Sequence, residues 1–200
     1  MADGADMTRP SLLLRIRDPH DADSWSNFVG VYSPLLLRYA RKRGLQEADA
    51  ADVTQDVLAQ VAKSIRDFEY RPERGRFRDW LGTVVRHRVH RFLKREANHA
   101  IGADAAWLDD LPGTQQDGDW SAAFNAHILN AALERTRPYF EDATWQAFQL
   151  AWLEQHPATT AAEKLGLPVA SVYLAKSRVL KRLREEVLVI AEDWPLEPVS

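Results

Sequence analysis

The chain has no cysteine, which excludes disulfides, thiolate metal sites and a cysteine nucleophile together. That fits a reducing compartment. No apolar run approaches the length of a membrane span, and the opening stretch MADGADMTRPS lacks the apolar centre of a secretory signal. A soluble, cytoplasmic protein is expected. Alternating apolar and polar residues of the kind a half-buried strand needs are also missing, so helical periodicity carries the fold. An excess of positive charge is missing too: 26 basic residues face 29 acidic ones, for a formal net charge of −3. What is present is apolar and aromatic. Hydrophobic residues make up 46% of the 200, which rules out general disorder. Seven tryptophans supply enough area to anchor more than one small core.

The near-zero net charge hides a strong segregation. Between Arg74 and Arg95 stand Arg74, Arg76, Arg78, Arg86, Arg88, Arg91, Lys94 and Arg95, opposed by Asp79 alone. The next stretch carries Asp104, Asp109, Asp110, Asp117 and Asp119 and no basic residue. A polyanion meets local fields rather than the average, so the segregation matters more than the sum.

Apolar spacing predicts a helix over Asp23–Lys42, with Trp25, Phe28, Val29, Tyr32, Leu36 and Tyr39 on one face and Gly44 ending it. A second spans Ala48–Phe68, stepping through Val53, Val57, Val61 and Ile65. Pro72 and Gly75 make Glu69–Gly75 a loop. A third helix, Phe77–Glu96, buries Phe77, Trp80, Leu81, Val84, Val85 and Phe92 beneath a surface of arginines and histidines. Gly102, Pro112, Gly113 and Gly118 then mark residues 98–121 as a flexible acidic linker, although Trp107, Leu108 and Leu111 make it less inert than a spacer. Helices resume over Ala122–Thr136 and Pro138–Gln155. The expected architecture is all-α: two small helical domains, residues 23–97 and 122–187, joined by the linker. A lead-in of residues 1–22 precedes them and an acidic, proline-bearing tail of residues 188–200 follows.

The stretch from Thr159 to Arg184 has the layout of a helix-turn-helix. Thr159–Leu165 forms the short helix, with small Ala162 where another helix must pass. Gly166 occupies a position that favours positive φ. Pro168 suits the first turn of the next helix, where its missing N–H costs nothing. Leu165, Leu167, Val172 and Ala175 close the pair on one core. Lys176, Arg178, Lys181, Arg182 and Arg184 supply phosphate-neutralising charge with no acidic residue among them. A plain αα-hairpin with a solvated basic face would share these features, so the remainder of the chain decides.

Three elements in order carry a resemblance to a known family. These are ADAADVTQDVL with Asp52, Gln55, Asp56 and Val57, then RPERGRFRDWLGTVVRHRVHRFLKR, and finally the helix-turn-helix with its Lys181-Arg182-Leu183-Arg184 run. Over about Ser24–Val187 the chain resembles bacterial RNA polymerase sigma factors of the small extracytoplasmic-function group. The resemblance implies a non-enzymatic initiation subunit without catalytic residues, metal or cofactor. It also implies that Asp52, Gln55 and Asp56 dock on a basic coiled coil of the polymerase's largest subunit. A carboxylate-and-amide stripe at i, i+3 and i+4 suits arginine recognition.

The Glu69–Arg95 segment would hold the minus-ten element as it opens, with cationic backbone contacts and aromatic stacking on exposed bases. Tyr70 is the stacking candidate, beside Arg71, Arg74, Arg76 and Arg78; Phe77 and Trp80 are expected in the core. Arg86, His90 and Lys94 form one stripe, while Arg88, Arg91 and Arg95 form another, and spacing alone does not decide which faces DNA. Ser171, Tyr173, Leu174, Lys176, Ser177, Arg178 and Lys181 would read the minus-thirty-five element. Family members often begin this helix with a Thr-Val-Lys-Ser-Arg-like run, whereas Tyr173 and Leu174 here make two groove-facing positions less polar. A thymine methyl or sugar edge is one contact open to them, and a protein surface another. The resemblance further implies contact with the polymerase β flap, an acidic linker running toward the active-site channel, and an anti-sigma partner that nothing in the sequence identifies.

Two other readings compete. A free-standing helix-turn-helix regulator explains the C-terminal domain, but leaves the Asp52/Gln55/Asp56 stripe and the arginine-rich loop unexplained, and no dimerisation heptad accompanies it. A helical metal hydrolase would recruit His87 and His90 with Asp49, Asp52 and Asp56. It lacks a converging Glu-x-x-His motif, and its histidines stand among arginines.

Overall fold

The computed structural model describes residues 11–66, 76–101 and 118–191. Among them every regular element is helical. The chain divides into two compact units, residues 1–127 and 128–200.

The first unit begins with a short helix, α1 (Leu12–Arg15), in what reads as a lead-in. Leu12, Leu13 and Ile16 are buried, so this segment contributes core rather than a tether. Helix α2 (Ala22–Lys42) starts on Asp21, whose carboxylate accepts the Ser24 N–H at 2.9 Å and the Ser24 hydroxyl at 2.8 Å. Its buried face is Phe28, Val31, Tyr32, Leu35, Leu36, Tyr39 and Ala40. The expected Val29 instead lies on the exposed side, because the stripe runs through Val31 and Leu35. Gly44 ends the helix at φ +94°, a left-handed turn that a side chain would resist.

Helix α3 (Glu47–Ser64) presents Val53, Val57 and Val61 inward, with Ile65 just beyond its end. Helix α4 (Phe77–Ile101) contributes Phe77, Leu81, Val85 and Val89 to the same core. Phe28 and Tyr32 stack at 4.4 Å, and Phe77 meets them edge-on at 6.2 and 5.7 Å. Trp80 is half-buried, 5.5 Å from Phe77. Both therefore pack as expected.

Helix α5 (Gly118–Thr136) starts four residues before the expected Ala122, inside the stretch read as linker. The boundary between the units falls within it. Residues 118–127 belong to the first unit, where Trp120 and Phe124 are each 1% exposed. The expected inclusion of this segment in a linker and a second domain thus differs from its packing. The reason is physical: two large aromatics four residues apart give this end of the helix an apolar stripe to bury. Trp107, Leu108 and Leu111 lie outside the described residues.

The second unit takes the rest of α5, a 3₁₀ turn (Arg137–Tyr139) and α6 (Asp142–Phe148), which continues into a π-helical turn over Gln149–Leu153. The expected continuous helix over Pro138–Gln155 is interrupted at extended Phe140 (φ −128°, ψ 140°), so α6 starts only at Asp142. Helix α7 (Ala158–Leu165) turns through Gly166 at φ +64°, and the Leu167 N–H closes on the Ala162 carbonyl at 3.0 Å. Helix α8 (Val169–Ile190) follows Pro168. Ala147, Ala161, Ala162, Val172 and Ala175 form a small-residue core beneath Leu165 and Leu167. Helix α8 runs on to Ile190, with Val187 and Ile190 buried, three residues past the expected domain end at 187.

Candidate nucleic-acid interface

On α3 the buried face is Val53, Thr54, Val57, Leu58 and Val61. Asp52, Gln55 and Asp56 are all exposed. Asp56 is linked to α4 through Arg88, at 4.0 Å, and Arg88 also donates to Gln60 Oε1 at 2.9 Å. The stripe therefore keeps two groups facing solvent and a third at the edge of the α3–α4 contact.

On the basic face of α4, Arg91 is exposed. Arg88 is spent on α3, and Arg95 lies over the Phe92 ring at 5.2 Å with Glu96 3.7 Å away. Arg86, His90 and Lys94 are half-buried. Arg86 donates to Thr83 Oγ1 at 3.1 Å, and its Nε is buried with no hydrogen-bond partner. Arg76 and Arg78 flank the helix start and are likewise half-buried. Arg78 is held by Asp79 at 3.1 Å and by Asn125 Oδ1 at 3.4 Å. Tyr70, Arg71 and Arg74 lie outside the described residues.

A further group was not foreseen. Trp120 donates its indole N–H to the Arg78 carbonyl at 2.8 Å and meets Tyr39 edge-on at 5.1 Å. His127 Nε2 lies 2.5 Å from the Val31 carbonyl, and its Nδ1 2.7 Å from Arg38. Those two contacts together require the neutral ring protonated on Nε2, since a carbonyl accepts and a guanidinium donates. Asp119 pairs with Lys42 at 3.0 Å. The sequence signal was the Trp120–Phe124–Ile128 spacing, masked by Gly118 and the acidic run before it.

In the second unit the N-terminal half of α8 presents an open face. Tyr173 is 62% and Leu174 55% exposed, an unusual placement for large apolar groups. Ser177, Arg178 and Lys181 are exposed beside them, while Ser171 and Lys176 are half-buried. Arg182 is drawn away from this face. It stacks on Tyr139 at 3.8 Å and binds Glu185 at 3.2 Å and Glu186 at 2.5 Å, so its charge is neutralised inside the unit. The expected basic run is thus three exposed or half-exposed cations, Lys176, Arg178 and Lys181, with Arg184 beyond.

Among the described residues no three His, Asp or Glu side chains gather as a metal site. No helix among them is long and apolar enough to cross a membrane.

Residues 28–99 match the sigma-70 region 2 family. An ECF RNA polymerase sigma factor RpoE from Cereibacter sphaeroides is 25% identical over 191 residues, covering 94% of this chain and 99% of that protein. Two solved structures align at lower similarity. The RsbN–BldN complex covers 86% of this chain and 96% of its own, at 18% identity and a TM-score of 0.35. CnrH in complex with the cytosolic domain of CnrY covers 86% and 92%, at 20% identity and a TM-score of 0.35.

Proposed function

The chain is a sigma factor of the extracytoplasmic-function group of the sigma-70 family, and from that premise we propose how its surfaces divide the work of initiation. Asp52 and Gln55, with Asp56 at their margin, bind core polymerase on its largest-subunit coiled coil. The exposure of this carboxylate-and-amide stripe over a rigid valine spine supports the assignment, because charge-assisted hydrogen bonds need fixed acceptors. It is the single observation that carries the reading, since it lies within the region 2 match and no free-standing regulator needs it.

Tyr70, Arg71, Arg74, Arg76 and Arg78, with the Arg86/His90/Lys94 stripe of α4, hold the minus-ten element. The N-terminal half of α8 reads the minus-thirty-five element through Ser171, Tyr173, Leu174, Lys176, Ser177, Arg178 and Lys181. Residues 23–97 act as the region 2-like domain and residues 122–187 as the region 4-like domain, with the acidic stretch of 98–121 between them. Residues 118–127 lend their packing to the former.

The protein works in the bacterial cytoplasm, performs no chemistry of its own, and opens DNA with binding energy for the separated strand. Its partners are core polymerase, including the β flap, promoter DNA, and an anti-sigma protein that masks these surfaces. The test is reconstitution: bacterial core polymerase with this chain should give discrete transcripts from fragments of its genome that core alone does not give. Transcription no different from core alone would refute the assignment.

A further inference from the structure

Trp120 lies outside the stretch matched to sigma-70 region 2, yet it makes a directed hydrogen bond to that stretch. Burial alone would be served by any large apolar group. The indole adds one directed donor, aimed at 2.8 Å at the Arg78 carbonyl, in the first turn of α4. Five residues further along α5, Asn125 Oδ1 accepts from the guanidinium of the same Arg78. Both ends of Arg78 are therefore held by α5.

The seat for the ring is shaped by an absence. A Cβ on Gly82, one turn after Arg78, would stand 2.5 Å from the indole nitrogen and 2.6 Å from Cδ1, closer than atoms can approach. Tyr39 of α2 closes the other side at 5.1 Å. His127 and Asp119 then fasten α5 to α2 through Val31, Arg38 and Lys42. The first ten residues of α5 thus brace α2 against the start of α4. Arg76 and Arg78, both assigned above to the minus-ten element, stand at that braced end of α4.

We infer that Trp120 is a positioning residue for promoter opening: seated on Gly82 and bonded to the Arg78 carbonyl, its indole fixes the turn of α4 from which the minus-ten contacts project. The inference rests on the sigma-factor reading of the preceding subsection. It assigns to a residue beyond region 2 a part in strand separation, and none in polymerase docking, since Asp52, Gln55 and Asp56 lie on α3.

The experiment compares wild type with full-length Trp120→Phe, which keeps an aromatic ring and loses the donor, and with Gly82→Ala, which crowds the ring. Core capture, thermal melting and permanganate reactivity of minus-ten thymines are measured on a promoter that wild type opens. A second template carries a mismatched bubble over the minus-ten element. The expected result for Trp120→Phe is unchanged core capture, a nearly unchanged melting temperature and thymine reactivity lower by about five-fold, the scale of one lost hydrogen bond. The bubble template restores transcription. Gly82→Ala falls further in reactivity and is restored in the same way. Unchanged reactivity in both variants would overturn the inference. So would a loss that tracks core capture and melting and that the bubble does not relieve, because that is what a purely structural aromatic produces. If wild type opens no promoter with core present, the sigma-factor reading fails and this inference falls with it.

Discussion

Asp21 illustrates how a single residue sets a boundary. Its carboxylate caps α2 and is held below the ordinary carboxylate range, first by the Ser24 backbone N–H and next by the Ser24 hydroxyl, with Arg15 contributing. A group whose pKa is depressed on folding contributes stability above its unfolded pKa and loses it as pH falls through its folded value. Wild type should therefore melt above Asp21→Ala at neutral pH, and the gap should close as the pH drops below the usual carboxylate range. A gap independent of pH would contradict the capping account. At this scale some residues were legible and others not. Gly44 and Gly166 could be read from the sequence because a left-handed turn needs glycine. Arg182 could not: its place in a basic run suggested DNA. Only the fold brings Tyr139 beneath it, and only burial of Glu186 four residues on makes an intramolecular pair its use.

Among the elements, α2, α7 and the start of α8 follow from apolar spacing and their flanking glycines or proline, whereas α3 and α4 follow in place but not in extent: α3 stops at Ser64, and α4 runs past the expected Glu96 to Ile101, into the stretch expected as linker. Helix α5 does not, because Gly118 and the acidic run before it resemble a linker more strongly than Trp120 and Phe124 resemble a helix. What overrides that local composition is a tertiary seat on α2 and α4, which no window of sequence contains. The consequence is testable in the full-length chain. Phe124 is fully buried, 6.1 Å from Tyr32, and Phe124→Ala should destabilise the first unit by about 3–5 kcal/mol. Hydrogen exchange followed by mass spectrometry should show lost protection in α2 and α4, with α7 and α8 unaffected. Loss confined to α7 and α8 would return residues 122–127 to the second unit. The same comparison explains α6: Pro138 and extended Phe140 delay the helix, so the apolar pattern that continues across them overstates its length.

For the whole molecule, the segregation of charge matters more than its sum. A net charge of −3 coexists with an acidic stripe on α3, a basic α4 and a basic, partly apolar face on α8. The order of these surfaces along the chain was legible without coordinates, and it is what made the family recognisable. The pairing of Arg88 with Asp56 and of Arg182 with Glu185 and Glu186 was not legible, and it lowers the net positive charge of α4 and α8.

The central claim is that the α3 stripe joins this chain to RNA polymerase, and capture by bacterial core polymerase without DNA tests it most directly. Wild type should be retained, and Asp52→Ala/Gln55→Ala/Asp56→Ala should be lost while melting close to wild type, since all three side chains are exposed and the Asp56–Arg88 pair is a surface one. Equal retention of the folded triple variant would contradict the claim and move the docking surface elsewhere on the molecule.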